Sequence, residues 1–386
     1  MKVEQNISRL IYLLELYKLT VNEFIELVNK GVKKRKAKKE DLFSTEIKLS
    51  FLKKFDKIFN KGIHFYLDPE EPPTNKQEAS IFFRKSNFET ELNLGSKIIV
   101  DKFEERKNYF SGLSKLADVN VDRQLPTYTI DQDPAKVAAE LRLKLYPSFT
   151  PVLRDFLKNL ISKFSEFNIL VYEFVEAHNL TNKTNIDGFY LYPNTIVIKR
   201  QQRSFRREIF TLVHELGHYL LKEEEVEELN LSQLANPNVS RVERWCNDFA
   251  YHFLIGDFAK SIDTLTPATA SNDYHHSLMD EISRRTNISR IALYTRLLIL
   301  NKVSYPTYRK IDAEFKREAD EKREKEKALR ELAPKDDKQK GSQPQPIISP
   351  LLESVYKAAL YEGVINEYEF CKTLNISPDK LPKYLD

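Results

Sequence analysis

The chain has 386 residues, with 61 Lys and Arg against 57 Asp and Glu, for a formal net charge of +4. At about 100–200 residues per domain this length allows two or three domains, and so small a net charge excludes a strongly basic nucleic-acid binder, though not a local patch. Two cysteines, Cys246 and Cys371, exclude a disulfide framework or a cysteine-rich metal site and fit a reducing cytoplasm.

The N-terminal segment MKVEQNISRL has no basic run followed by an apolar one, so no signal peptide is expected. No stretch of 18 uncharged apolar residues occurs, so no membrane span is expected. Residues 7–30 carry apolar side chains at helical spacing, interrupted at Leu19-Thr20. Thr20 with Glu23 three residues on has the form of a capping box, so two short helices with a tight turn are predicted. The basic run Lys33, Lys34, Arg35, Lys36, Lys38 and Lys39 then reads either as a solvated face or as a phosphate-contacting patch.

Residues 67–76 form a Pro-rich break, 77–118 read as helical, and 119–132 are polar loop. Asp133-Pro134 opens a helix through about Leu145, since proline suits the first helical position. Another helix is predicted at 151–165. The periodicity then changes. Asn168–Val175, Ile186–Tyr192 and Thr195–Lys199 are rich in β-branched and aromatic residues and read as three strands of a small antiparallel sheet. A helix follows from near Ser204 to about Lys222. The acidic run Glu223–Glu228 reads as solvated surface, and Ser240 caps a helix from Arg241 to about Ile255. More helices follow to about Asn301. Residues 311–343 are almost purely charged, and 347–386 form a small amphipathic helical unit whose core is Val355, Ala358, Ala359, Leu374, Ile376 and Leu381.

The helix at 204–222 contains His214-Glu215-Leu216-Gly217-His218. A spacing of four places both imidazoles on one helix face, one turn apart, where both can reach a zinc ion at about 2.0–2.1 Å. Glu215 falls beside that pair, where a carboxylate suits a general base. Phe210, Leu212, Val213, Leu216, Leu220 and Leu221 make the helix largely apolar, which places the histidines inside the protein or in a cleft. Gly217, costly in mid-helix by about 1 kcal/mol against Ala, implies a close neighbour. A third ligand must come from elsewhere. Glu243 is the leading candidate because Cys246 and Ala250 on its helix are small enough to allow two helices to approach. Glu227 and Glu228 are the alternatives, and Cys246 reads as a small buried thiol at a helix contact rather than a ligand. Asn247 is a candidate to orient Glu243 or a substrate carbonyl. His252 lies on the far side of its helix from Glu243.

These residues resemble the ImmA/IrrE family of zinc peptidases. The matching segments are Ile186-Asp187-Gly188-Phe189, Arg206-Arg207 through Phe210–His218, and Glu243–Ala250 with Phe253-Leu254-Ile255. The chain departs from the family pattern at Cys246, where Ala is usual, and at Gly256, where Pro is usual. The resemblance implies Glu243 as third ligand, one Zn²⁺ per chain with Mn²⁺ as the alternative, and a cytoplasmic protease that cleaves helix-turn-helix repressors. Residues 7–30 faintly resemble the first two helices of an XRE-type helix-turn-helix module, which keeps DNA open as a partner.

The expectation is therefore an α+β chain with a zincin-like peptidase core, a small antiparallel sheet plus the active-site helix, flanked by all-α regions. The segments are 1–75, 76–132, 133–305 (the peptidase domain), 306–346 (charged helix and linker) and 347–386. A substrate strand is expected to add to an edge formed by Thr195, Ile196, Val197 and Ile198. The competing expectation is a DNA-binding regulator or antitoxin-like partner whose metal site is structural or vestigial.

Overall fold

Local capping fixes the first boundaries. In the computed structural model, which describes every residue except 34, 73–91, 177–182, 201–204, 225–239, 333–344 and 386, helix α1 (Ile7–Leu16) ends before Thr20. Thr20 accepts from the Glu23 amide while Glu23 accepts from the Thr20 amide, which starts α2 (Val21–Asn29) as the sequence predicts. Contacts group the chain into two units, Met1–Tyr109 with Asn179–Ile186 and Phe110–His178 with Asp187–Asp386. The five segments drawn from the sequence divide the chain more finely and remain a proposal.

In the first unit a two-stranded antiparallel ribbon, β1 (Lys2–Glu4) with β2 (Glu46–Lys48), accompanies α1, α2, α3 (Lys39–Leu42), α4 (Leu49–Phe59) and α5 (Ile63–Leu67). Its core is aromatic: Phe59 stacks on Tyr17 at 5.5 Å and on Phe24 at 5.7 Å. The Asn29 side chain closes the basic loop by bonding both the amide and the carbonyl of Ala37. Lys33, Arg35, Lys36, Lys38 and Lys39 are all exposed on or beside that loop, while Lys34 lies outside the described residues. After α2 come this loop and a four-residue helix, so the described residues contain no third helix of recognition length at the place a helix-turn-helix would need one. Of the helix expected over 77–118, the described part is α6 (Leu94–Leu116).

The second unit opens with helix α7 (Pro134–Leu145), capped by the Asp133 side chain on the Ala135 amide, and α8 (Leu153–Ser165). Strands β3 (Leu170–Phe174), β4 (Gly188–Leu191) and β5 (Thr195–Lys199) form one sheet in the order β3-β5-β4. The sheet is mixed: β5 runs parallel to β3 and antiparallel to β4. This corrects two expectations. The sheet is not antiparallel throughout, and Thr195, Ile196, Val197 and Ile198 are not an edge. Strand β5 is the central strand, hydrogen-bonded on both sides and buried on both faces, as its uninterrupted apolar run befits.

Helix α9 (Phe205–Leu221) lies against β4 and β5 on one side and α10 (Arg241–Ile255) on the other. Then come α11 (Ala259–Asp263), α12 (His276–Thr286), α13 (Arg290–Ile299) and α14 (Tyr305–Leu332), the last solvated along its described part beyond Phe315. The C-terminal helices α15 (Pro350–Tyr361), α16 (Glu367–Leu374) and α17 (Leu381–Leu385) bury Val355, Ala359, Leu374 and Leu381. Ala358 and Ile376 are only half-buried. Helix α15 packs on α8, with Ser349 Oγ 3.0 Å from Ser165 Oγ. No helix among the described residues is long and apolar enough to cross a membrane.

A buried ion cluster ties this C-terminal segment to the sheet. The Ile347 amide donates to the Glu173 carboxylate on β3, and Arg200 donates to Glu173 and, at 2.9 Å, to Glu208 on α9. Burial pushes Glu173 above the usual carboxylate range, with the Ile347 amide and Arg200 opposing. Glu173→Ala removes an acceptor from two buried donors, so a loss of about 3 kcal/mol is expected in urea unfolding of the full chain. A change within 0.5 kcal/mol would mean that the cluster does not hold the C-terminal segment.

Candidate metal centre

Helix α10 is fixed at both ends by the segment that precedes the sheet. At its start the Ser240 hydroxyl accepts from the Glu243 amide, and the Trp245 indole donates to the Gln132 carbonyl at 2.7 Å. At its end Arg142 of α7 donates to the Phe253 and Leu254 carbonyls, which the helix leaves without partners. So anchored, α10 meets α9 at a point of very close approach. A Cβ on Gly217 would lie 3.0 Å from the Cys246 Cβ and Sγ and 3.1 Å from its Cα. Glycine on one helix and a small residue on the other therefore let the backbones come together, which accounts for Gly217 in mid-helix. Cys246 is fully buried and burial pushes its thiol up to about 11, so it acts as a small packing residue.

This approach brings Glu243 over the histidine pair. His214 Nε2 lies 3.2 Å and His218 Nε2 3.0 Å from the two Glu243 carboxylate oxygens, and the two Nε2 atoms are 3.1 Å apart. All three side chains are buried. Among the described residues they are the one group of such donors that converges, with ligand atoms within 4.8 Å of one another. Donors 2.0–2.1 Å from a tetrahedral ion stand about 3.3 Å apart, so the set fits a single divalent metal with little movement. Burial raises the Glu243 carboxyl, but the two imidazoles more than offset this and hold it below the usual carboxylate range. Glu243 is thus an anion held against two nitrogen donors. Its alternatives Glu227 and Glu228 lie outside the described residues.

Asn247, one turn beyond Glu243, places its Oδ1 3.1 Å from His214 Nδ1. The sequence offered it as an orienter of Glu243 or of a substrate carbonyl; its described partner is instead His214, whose far nitrogen it turns toward the metal position. His252 is half-buried on the other side of α10, with its Nε2 3.4 Å from Arg296. Glu224 corrects the expectation of a solvated acidic run. It is buried and accepts from the Tyr192 amide at 2.8 Å, closing the end of β4.

Glu215 projects beside the triad. It is 4% exposed, its Oε2 has no hydrogen-bond partner among the described residues, and burial pushes its pKa up to about 7 against the pull of His218 and His214. Strand β4 passes directly over it: a Cβ on Gly188 would lie 2.6 Å from Thr211 Cγ2 and 3.2 Å from Glu215 Cγ. The start of β4 is pinned to α9 by an ion pair between Asp187 and Arg207. The role of Gly188 was not legible from pattern alone, although it stands in the segment that carried the family resemblance.

Residues 166–298 match the peptidase M78 family, described as the IrrE N-terminal-like domain. The match covers the sheet and helices α9 and α10, which carry the triad, and it leaves residues 1–165 and 299–386 outside. Neither curated proteins nor solved structures gave a match to the chain.

Two outcomes test the site. Elemental analysis is expected to find about one divalent metal per chain in the wild type and little in His218→Ala, with Glu243→Gln intermediate; full occupancy in His218→Ala would falsify the ligand assignment. Gly217→Ala is expected to push α10 from α9, costing about 1–3 kcal/mol in stability and about tenfold in metal affinity by competitive chelator titration. Unchanged affinity would show that the contact does not position Glu243.

Proposed function

We propose, from the match of residues 166–298 to the peptidase M78 family, that the protein is a zinc-dependent endopeptidase with Glu215 as its general base. The observation that carries this reading is the pairing of a complete buried ligand set, His214, His218 and Glu243, with a second carboxylate, Glu215, that stands outside that set. A purely structural metal has no use for that second carboxylate, which weighs against the regulator reading. When bound, the metal supplies a Lewis acid for the scissile carbonyl and for the attacking water. Manganese is the alternative ion.

The chain's own residues do the rest. Glu215 takes the proton of the attacking water and delivers it to the leaving amine. Asn247 keeps His214 in one orientation. The substrate adds as a strand to β4, not β5. The Lys199 amide donates to the Asp187 carbonyl, so alternation along an antiparallel pair directs the backbone groups of Gly188 and Tyr190 away from β5. Among the described residues no strand lies on that side, and that edge passes Glu215. The absence of a side chain at Gly188 lets β4 lie close over Thr211 and Glu215, which brings its free edge beside the metal ligands.

The substrate class implied by the family resemblance is a helix-turn-helix repressor, cut in the cytoplasm to release phage, mobile-element or stress-response genes. Incubation with the repressor encoded beside the protein, with and without Zn²⁺ or Mn²⁺, tests it by the appearance of a discrete fragment. DNA remains a proposed partner only through the exposed Lys33, Arg35, Lys36, Lys38 and Lys39.

Glu215→Gln keeps the shape of the site. It is expected to retain the metal and to lose at least about 100-fold in cleavage rate, the scale of a general-base contribution. Cleavage at the wild-type rate by the metal-loaded variant would remove Glu215 from the mechanism.

A further inference from the structure

Next to the metal position, one turn toward the start of α9, a cleft opens between α9, α10 and α13. Phe210 contributes the wall from α9, four residues before His214 and on the same helix face. Tyr251 of α10 with Ala292 and Ile299 of α13 complete an apolar lining. Two of the polar groups along it have described partners. Arg296 is paired with Asp248 at 2.6 Å, and its guanidinium lies 4.7 Å over the Tyr251 ring. Thr295 donates to the Ile291 carbonyl. Asn247 lines the same cleft, and its Oδ1 lies 3.1 Å from His214 Nδ1. One residue thus touches both the metal ligand and the cleft.

Strand direction decides which part of a substrate would reach this cleft. Strand β4 runs alongside α9 in the same sense: Gly188 sits at Thr211 and Glu215, Tyr190 packs edge-on against Tyr219 at 5.9 Å, and the Tyr192 amide reaches Glu224. A peptide added antiparallel to β4 therefore runs from the Glu224 end toward the Thr211 end. Its carbonyl half lies toward the end of α9, and its leaving-amine half points past His214 toward Phe210.

We propose that this cleft receives the side chain of the residue immediately after the cut and selects a large apolar one, such as Leu, Ile, Met or Phe. The inference rests on the peptidase reading above and adds the determinant of its specificity. Arg244 also lines the cleft, so its charged groups, two arginines and one aspartate, disfavour a basic side chain, while its apolar wall removes a large apolar one from water. Asn247 donates to the adjoining substrate carbonyl, which couples correct filling of the cleft to the orientation of His214.

The test uses the full chain loaded with Zn²⁺ or Mn²⁺ and an unbiased peptide library, with products identified by mass spectrometry. Large apolar residues are expected to be enriched directly after the cut. Ile299→Glu changes a residue at the rim, 39% exposed, so the fold and metal content should persist. The preference for apolar over basic residues at that position is expected to fall at least about tenfold. Ala292→Leu, which fills the cleft from its floor, is expected to shift the preference toward smaller residues. Saturation-transfer NMR on the metal-free protein gives a readout without turnover: phenylalaninamide is expected to bind and glycinamide not, with the difference lost in Ile299→Glu. Cleavage with no selection after the cut, selection unchanged in both variants, or equal binding of the two amides would overturn the assignment and leave the peptidase reading standing. Absence of any cleavage by the metal-loaded wild type would overturn both.

Discussion

The closeness of α9 to α10 is the constraint from which the rest of the site follows. A carboxylate that must reach two imidazoles on a neighbouring helix has a short side chain with which to do it. Only where Gly217 faces Cys246 do the backbones come near enough for Glu243 to meet both Nε2 atoms. The anchors of α10 serve the same end. Trp245 on the Gln132 carbonyl and Arg142 on the last carbonyls of the helix fix where Glu243 stands along α9. The polar loop and the Asp133-capped helix before the sheet are therefore part of the metal site's support, though none of their residues touches it.

The site is also a region of unfavourable burial. Two imidazoles and two carboxylates sit in the interior, and Glu215 keeps an oxygen without a partner. Isolated charges there are costly, and a dication placed among them changes the sign of that balance. The apolar core around α9 holds these groups together in advance, so that little has to be ordered when a metal or a substrate arrives. The buried cluster of Glu173, Arg200 and Glu208 has a related place in the fold. It links the C-terminal segment, through strand β3, to the helix that carries both histidines.

Much of this was legible in the order of residues. Spacing four apart puts His214 and His218 on one helix face whatever the surroundings, because the helical period is a property of the backbone. The caps at Thr20 and Ser240 and the start of the helix at Pro134 are equally local, and they stand where the sequence places them. Glu243 was favoured because small residues followed it at helical spacing. The three strands were also legible, since β-branched runs mark extended backbone.

The pairing of those strands was not. The apolar run at 195–199 fits burial on both faces but does not say which strands lie beside it. Order in a sheet depends on which segments lie side by side after the chain has turned, so only the tertiary structure shows β5 between β3 and β4 and leaves β4 as the edge over Glu215. The same holds for Glu224, a member of an acidic run that becomes a buried acceptor for the Tyr192 amide, and for Asn247, whose partner is His214. Gly188 and the cleft beside Phe210 arise from elements distant in sequence. Local periodicity and capping are written in neighbouring residues and were determined by the sequence alone. Strand order, the partner of a polar side chain and the shape of a cleft are relations between distant segments, which only packing decides.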